Sequence, residues 1–383
     1  MRIIHILNHI QKVGNGIVNV AVDTACIQAQ AGHEVAVVSH GGEYEEILAL
    51  YSVKHYQLDQ TRKLISLSKA AVRYRAIVKE FQPDIVHAHM MTGVIIAKFL
   101  RFGSKYSLVS TVHNEFQRTS VLMGLADKVI AVSQAVQTSM LQRGVPKNKL
   151  QVVCNGPLGS PRNRQLQEYS PIQLQQPAIV TIAGMYKRKG IVELIAAFDQ
   201  IAVDFPQVHL YLVGDGPDRL LFEAQARETS VAERIHFEGF QPEPQRYLLS
   251  SDIFVLASHQ DPCPLVLSEA REAGCAIIAT QVDGIPEALD DGQAGILVPP
   301  KDSNTLAKTL TQLLSHPDLL QKWKQKAHQN LERLNIARVH QETLFVYNEL
   351  LNHPNQSEYT GTEPSEEKLL RNTGEKRTGL INL

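Results

Sequence analysis

Short β-branched runs alternate along this chain with longer segments whose apolar residues recur at helical spacing. That alternation predicts parallel strands joined by crossover helices. The runs Ile3–Leu7, Glu34–Ser39, Ile85–His87, Leu108–Val112, Val129–Val132 and Leu150–Val153 predict strands of a first domain, with helical stretches such as Asn19–Ala31 and Lys63–Phe81 between them. A second series, Ile179–Ala183, His209–Val213, Ile235–Phe237, Ile253–Ala257 and Ala276–Ala279, is separated by helices over Ile191–Val203, Asp218–Glu228, Pro264–Ala273 and Thr305–Leu314. The pattern predicts sheets covered on both faces, an α/β fold of two doubly wound domains. Pro157–Pro177, rich in Pro, Gln, Ser and Arg, marks the junction. The expected layout is a first domain over 1–160, a linker over 161–177, a second domain over 178–338, a last helix over 339–352 and a polar, disordered tail over 353–383.

Composition agrees with that layout. At 383 residues the chain exceeds one ordinary core, and it suits two domains of roughly 150–180 residues. The net charge of −1 gives no field that points to nucleic acid. Cys26, Cys154, Cys263 and Cys275 lack paired spacing, which fits reduced thiols rather than a disulfide framework or a zinc site. The chain opens directly on a strand without a charged-then-apolar leader, and no apolar run approaches the ~20 residues that span a bilayer. A cytoplasmic location is expected.

Candidate chemistry concentrates in Asp261–Glu287. Asp261 sits in a loop, Glu269 follows eight residues later in an amphipathic run, and a short strand and the turn Asp283-Gly284-Ile285-Pro286-Glu287 come next. A helix start there, near Leu265 and Val266, offers free N–H groups and a positive dipole end to a phosphate. The two acids would accept hydroxyl hydrogen bonds from a sugar and a ribose. An ordinary surface helix with two unrelated acids has the same spacing. Gly184-Met185-Tyr186-Lys187-Arg188-Lys189-Gly190 places three cations between a strand and a helix, which suits a diphosphate; a solvated basic turn is the alternative.

These residues resemble the family 4 retaining glycosyltransferases, over roughly residues 1 to 345 and more strongly in the second half. Glu269, Ala270, Gly274, Gly284, Pro286 and Glu287 match the family signature, and Asp261 stands where the family usually has Glu, one methylene longer. Lys189-Gly190 match its Lys-Gly pair, whereas Met185 follows Gly184 where an arginine is usual, so Arg188 or Lys187 is expected to supply that charge. Val213-Gly214-Asp215-Gly216-Pro217 resembles the family's Gly-x-Gly-Pro turn near the nucleotide, and Phe237-Glu238-Gly239-Phe240 its nucleobase loop. In Asn8–Gly16, Gly16 matches the second glycine of a Gly-Gly pair and Asn15 replaces the first, which implies that His9 and Asn15 shape the acceptor side. His113 matches the histidine at the sugar-transfer centre. His89 is placed on the acceptor side, and His87 is read as capping a hydrogen-bond network.

The resemblance implies the GT-B architecture, two Rossmann-like domains facing across a cleft, with the last helix crossing back to the first domain. It implies transfer of a hexose-type sugar from a UDP- or GDP-linked donor, with retention, to a saccharide or lipid-linked acceptor. Lys189 and a neighbouring cation would stabilise the departing diphosphate, Glu269 would bind the ribose and Asp261 the transferred sugar. No Asp-x-Asp motif is present, so neither metal nor cofactor is expected beyond the nucleotide-sugar co-substrate. A nucleotide-sugar 2-epimerase of the same fold, or a degenerate nucleotide-sugar-binding partner subunit, are the alternatives. Residues 62–105 carry Arg62, Lys63, Lys69, Arg73, Arg75, Lys79, Lys98, Arg101 and Lys105 against Glu80 and Asp84. With Leu64, Ile65, Leu67, Val72 and Ile77 interleaved, they predict either a basic amphipathic face for an anionic membrane or a solvated helix packed by its apolar side.

Overall fold

Runs of Ile, Val and Ala pack well on a pleated surface buried on both faces, and they form the strands at the centre of each sheet. The computed structural model describes residues 1–60, 64–101 and 103–352, without the side chains of residues 64–67. The expected tail from residue 353, and Arg62 and Lys63 of the basic segment, lie outside the described residues. Strands β1 (Arg2–Ile6), β2 (Glu34–Ser39), β3 (Lys54–Gln57), β4 (Ile85–Ala88), β5 (Ser107–Val112), β6 (Lys128–Ala131) and β7 (Leu150–Val152) form a parallel sheet in the order 3-2-1-4-5-6-7. Strands β8 (Ala178–Ile182), β9 (His209–Val213), β10 (Ile235–Gly239), β11 (Ile253–Leu256), β12 (Ala276–Thr280) and β13 (Ile296–Val298) form a second, in the order 10-9-8-11-12-13. Two doubly wound α/β units result.

Strand order reverses between β1 and β4 in the first sheet and between β8 and β11 in the second. Loops leaving such neighbours run to opposite sides and open a crevice at the carboxyl ends of the strands, where open α/β sheets bind ligands. Between β1 and β4 the register sets His5 beside His87.

Helix Leu64–Phe81 packs through Ala70, Tyr74, Ile77, Val78 and Phe81, all buried in the first core. Ile77 therefore lies on the packed side of the helix, as in the second of the two sequence readings, while Lys69, Val72, Arg73 and Lys79 are exposed.

The last helix, Ile336–Asn352, packs on the first sheet rather than the second. Ile336, Val339, Val346 and Tyr347 lie in one apolar cluster with Ile3, Ile85, Val109 and Ile130, and Lys128 pairs with Glu349 at 3.1 Å. The chain thus passes between the units twice, and the two passages touch. Leu158 N–H donates to Leu334 O at 3.0 Å and Ile336 N–H to Leu158 O at 2.9 Å. The first passage is anchored on the first unit by Arg162, whose Nε and second guanidinium nitrogen each donate to Asp23 at 2.8 Å. Among the described residues no helix is long and apolar enough to cross a membrane.

Candidate functional site

The switch point of the second sheet assembles the charged residues. The loop after β8 makes a tight turn over Lys187–Lys189 and ends at Gly190 in the left-handed region, φ 66°. A Cβ at Gly190 would stand 1.8 Å from Ala257 O, so only glycine lets this loop lie against the end of β11. His259 N–H donates to Arg188 O at 2.7 Å and ties the two loops together. Lys189 Nζ consequently reaches Asp261 Oδ2 at 2.5 Å, with both side chains largely buried. Asp283 holds the acid's backbone, accepting from Asp261 N–H at 2.7 Å.

From Asp261 the chain enters helix Leu265–Glu272 with Pro264 at its N-cap. The sequence reading started this helix at Pro264. Because the proline lies ahead of the first turn, the leading N–H groups belong to Leu265 and Val266, and no helix donor is missing. Glu269, in the second turn, is half-buried and has no hydrogen-bond partner among the described residues. Burial raises its pKa, against the opposing pull of the Arg162 guanidinium, and the charges of Glu272 and Asp23 raise it further. It is a carboxylate with open acceptor sites beside a helix start.

The neighbouring loops complete this wall. Met185, at the position where the resemblance led us to seek an arginine, is fully buried and does not face the cleft. Of the two substitutes, Lys187 is exposed, with its N–H bonded to Asp218 Oδ2 at 2.9 Å. Arg188 lies 4.9 Å from the Phe116 ring centroid and 5.5 Å from that of Tyr186. Phe116 belongs to the first unit, so Arg188 spans the cleft. The turn after β9 docks on the Gly184 loop: Met185 N–H donates to Asp215 O at 2.9 Å, and a Cβ at Gly214 would meet Ala183 O at 2.0 Å. A Cβ at Gly216 would likewise stand 2.6 Å from Met185 O. Phe240 is half-exposed and reaches across the cleft, its ring edge 3.6 Å from the Cβ position of Gly14.

On the first unit, Asn15 Oδ1 accepts from Ile17 N–H at 3.0 Å and caps helix Gly16–Gln30. Its side-chain oxygen is therefore engaged as a helix cap, a role Asn fills well. Gly16 opens the helix and faces Leu265 of the other unit. His9 Nδ1 accepts from Gln11 N–H at 3.3 Å within the same loop.

His113 follows β5, with one ring nitrogen 3.1 Å from His89 Nδ1. His89, expected on the acceptor side, is instead buried at 3% exposure with its other nitrogen on His5. It backs His113 from inside the sheet. Nitrogens of His5, His87 and His89 lie within 4.8 Å of one another, a spacing a metal ion can use, but both nitrogens of every ring already have hydrogen-bond partners. Burial lowers the pKa of all of these rings, His5 to about 4 and His113 to about 3, so they are neutral at pH 7.

Sequence reasoning missed Asp283, Phe116, Glu115 and the Asp23–Arg162 pair. Glu115, two residues past His113, is half-buried and its pKa is raised by burial and by Asp283 across the cleft. Only Asp283, inside the turn already singled out, carried a local signal.

This arrangement can hold a phosphorylated ligand against cations and a helix start while carboxylates accept its hydroxyls. Comparison with known proteins points the same way. The model of "Glycosyltransferase Family 4" matches residues 14–156 and that of "Glycosyl transferases group 1" residues 163–330. The N-acetyl-alpha-D-glucosaminyl L-malate synthase of Bacillus anthracis is 24% identical over 354 residues, 84% of this chain and 91% of that protein. A phosphatidyl-myo-inositol mannosyltransferase of Mycolicibacterium smegmatis is 23% identical, covering 91% of this chain and 93% of its own. The crystal structure of Anabaena HepE with UDP and glucose superposes with a TM-score of 0.77 at 19% identity, over 91% of this chain and 99% of that one. With one family model on each half of the molecule and a GT-B neighbour along nearly all of it, the chain belongs to the family 4 glycosyltransferases.

Proposed function

We propose that this protein transfers a hexose-type sugar, with retention of anomeric configuration, from a UDP- or GDP-linked donor to a saccharide or lipid-linked acceptor. The observation that carries the reading is the convergence of Lys189, Asp261 and the start of the Glu269 helix at the switch point of the second sheet. The diphosphate sits between Lys189, Arg188 and the N–H groups of Leu265 and Val266, where fixed positive charge stabilises the leaving group as its charge develops. Glu269 accepts from the ribose hydroxyls and Asp261 from hydroxyls of the transferred sugar. Phe240 and the backbone around Gly184, Gly214 and Gly216 line the nucleoside. His113 contacts the sugar from the opposite wall. These charges perform the electrostatic work for which other transferases use a divalent ion, so activity needs no added metal. HepE was crystallised with UDP and with UDP-glucose, which favours UDP as the first ligand to try.

Thermal shift with UDP, GDP, ADP and their common sugars, with and without EDTA, tests the donor assignment through stabilisation of the folded state. Failure of every nucleotide to stabilise the protein at millimolar concentration would sink it. Anomeric NMR of the product tests retention, and donor consumption without acceptor would point to epimerase or hydrolase chemistry instead.

We also infer peripheral attachment to anionic membrane through the outward face of helix Leu64–Phe81, where Lys69, Arg73 and Lys79 surround the exposed Val72. Lys98 and Arg101 contribute less because both pair with Asp127. Flotation with anionic liposomes at low salt checks this, and absence of binding there would remove it.

A further inference from the structure

Behind His113 runs an unbroken file of buried hydrogen bonds. His113 Nε2 meets His89 Nδ1 at 3.1 Å, His89 Nε2 meets His5 Nδ1 at 2.9 Å, and His5 Nε2 meets Gln28 Oε1 at 2.8 Å. From the far side of the same amide, Gln28 Nε2 donates to the Tyr347 hydroxyl at 3.4 Å. That hydroxyl lies 2.6 Å from His87 Nδ1, and His87 Nε2 lies 2.6 Å from Thr111 Oγ1. Gln28, His5, His87, His89 and Tyr347 are all at most 3% exposed, so water does not interrupt the file.

A neutral imidazole has one N–H and one bare nitrogen. A ring with both nitrogens engaged by protein must donate at one and accept at the other, so the tautomers in the file cannot be chosen independently. Gln28 Oε1 can only accept. His5 therefore donates from Nε2 and accepts at Nδ1, His89 donates from Nε2 and accepts at Nδ1, and His113 donates from Nε2. On the other side, Tyr347 accepts from Gln28 and donates to His87 Nδ1, and His87 Nε2 donates to Thr111. Every partner in this arrangement is satisfied. Turning the Gln28 amide over would reverse each of these bonds at once, because His5, His87 and His89 have no spare nitrogen. One amide orientation sets the polarity of the whole file.

We propose that Gln28 is a positioning residue for sugar transfer: through His5 and His89 it fixes His113 as the Nε2-protonated tautomer and leaves Nδ1 bare to accept a hydrogen bond from a hydroxyl of the donor sugar. The part played by the sugar rests on the reading above that His113 contacts it; the tautomer does not. Burial, which keeps the rings neutral, supports the scheme.

The test is ring nitrogen NMR of the full chain labelled with 15N-histidine at pH 7, with the His113 signals assigned by their loss in His113→Ala. The expected spectrum has a protonated Nε2 and an unprotonated Nδ1 at His113. A protonated Nδ1, or an even mixture of tautomers, overturns the proposal, and the wild-type spectrum decides this even if variants fail to fold. In Gln28→Met, which keeps the length but cannot accept from His5, the Nδ1-protonated form of His113 is expected to appear and kcat/KM to fall by about tenfold, the worth of one hydrogen bond. An unchanged His113 spectrum in Gln28→Met would also overturn the role of Gln28. Altered tautomers with unaltered kinetics would instead leave the tautomer control standing and remove His113 from the sugar.

Discussion

Lys189 and Asp261 form a buried ion pair with Nζ 2.5 Å from Oδ2, so the cation assigned to the diphosphate and the acid assigned to the sugar neutralise each other before any donor arrives. The loop glycine that makes this contact possible, Gly190, lies next to the lysine in sequence. A pair that is largely buried holds each partner in place at little entropic cost, which pre-organises both for the ligand.

Replacing Lys189 with Ala should lower kcat by roughly 100- to 1000-fold, as loss of one preorganised electrostatic group does, and raise the donor KM as well. Steady-state kinetics decide this; wild-type values in the variant would remove Lys189 from the diphosphate site.

Glu269→Gln should separate binding from stability. Burial raises the pKa of this half-buried carboxyl and so disfavours its charged form, and the amide is therefore expected to raise Tm without ligand. Loss of charge-assisted bonds to ribose should weaken UDP binding by roughly 10- to 100-fold. In the wild type, UDP affinity should fall as the pH drops through the raised pKa, and the variant should lose that limb. Calorimetric titration between pH 4.5 and 8 measures both effects.

Acid should destabilise the protein through the buried histidines. His5 has a folded pKa near 4 against an ordinary value of 6.5, so between those values the unfolded chain binds more protons. Stability contributed by the neutral ring is complete above pH 6.5 and is lost as the pH falls towards 4, by about 2–3 kcal/mol at pH 4.5. Buried carboxylates such as Glu269 titrate in the opposite sense. The quantity to measure is therefore the change in urea unfolding free energy between pH 7.5 and 4.5 in the wild type minus that in His5→Asn. A difference near zero would contradict the low pKa.

Asp23→Asn leaves the Arg162 guanidinium buried without its counter-charge. A cost of about 3–5 kcal/mol is expected, as for other broken buried pairs, and urea denaturation reads it. A loss below about 1 kcal/mol would show that the linker anchor is dispensable.

The strands at the centre of each sheet were legible in sequence because burial on both faces demands unbroken runs such as Ile253–Leu256 and Ala276–Ala279. Two of the four edge strands were not: Lys54–Gln57 is polar throughout, and Ile296–Val298 has three residues. In the candidate site, Asp261, Glu269 and Lys189 stood out because each lies in a loop–helix unit whose chemistry is local. Arg162 beside Glu269 and Phe116 against Arg188 join separate parts of the chain, and no spacing rule announces them. The Gln28–Tyr347 contact is the extreme case, at a separation of 319 residues. It exists only because the last helix returns to the first sheet, and His89, read from its strand end as an acceptor-side residue, belongs to the same internal network.

The paired passages between the two units have a mechanical consequence. A single flexible connection would act as a swivel, free to turn in every direction. Leu158 laced to Leu334 and Ile336 by backbone hydrogen bonds makes a two-strand ribbon, stiff to twist and to sideways shear but able to bend. The two connections therefore act as one, and any movement of one unit on the other that drew Leu158 away from Leu334 and Ile336 would have to break both bonds.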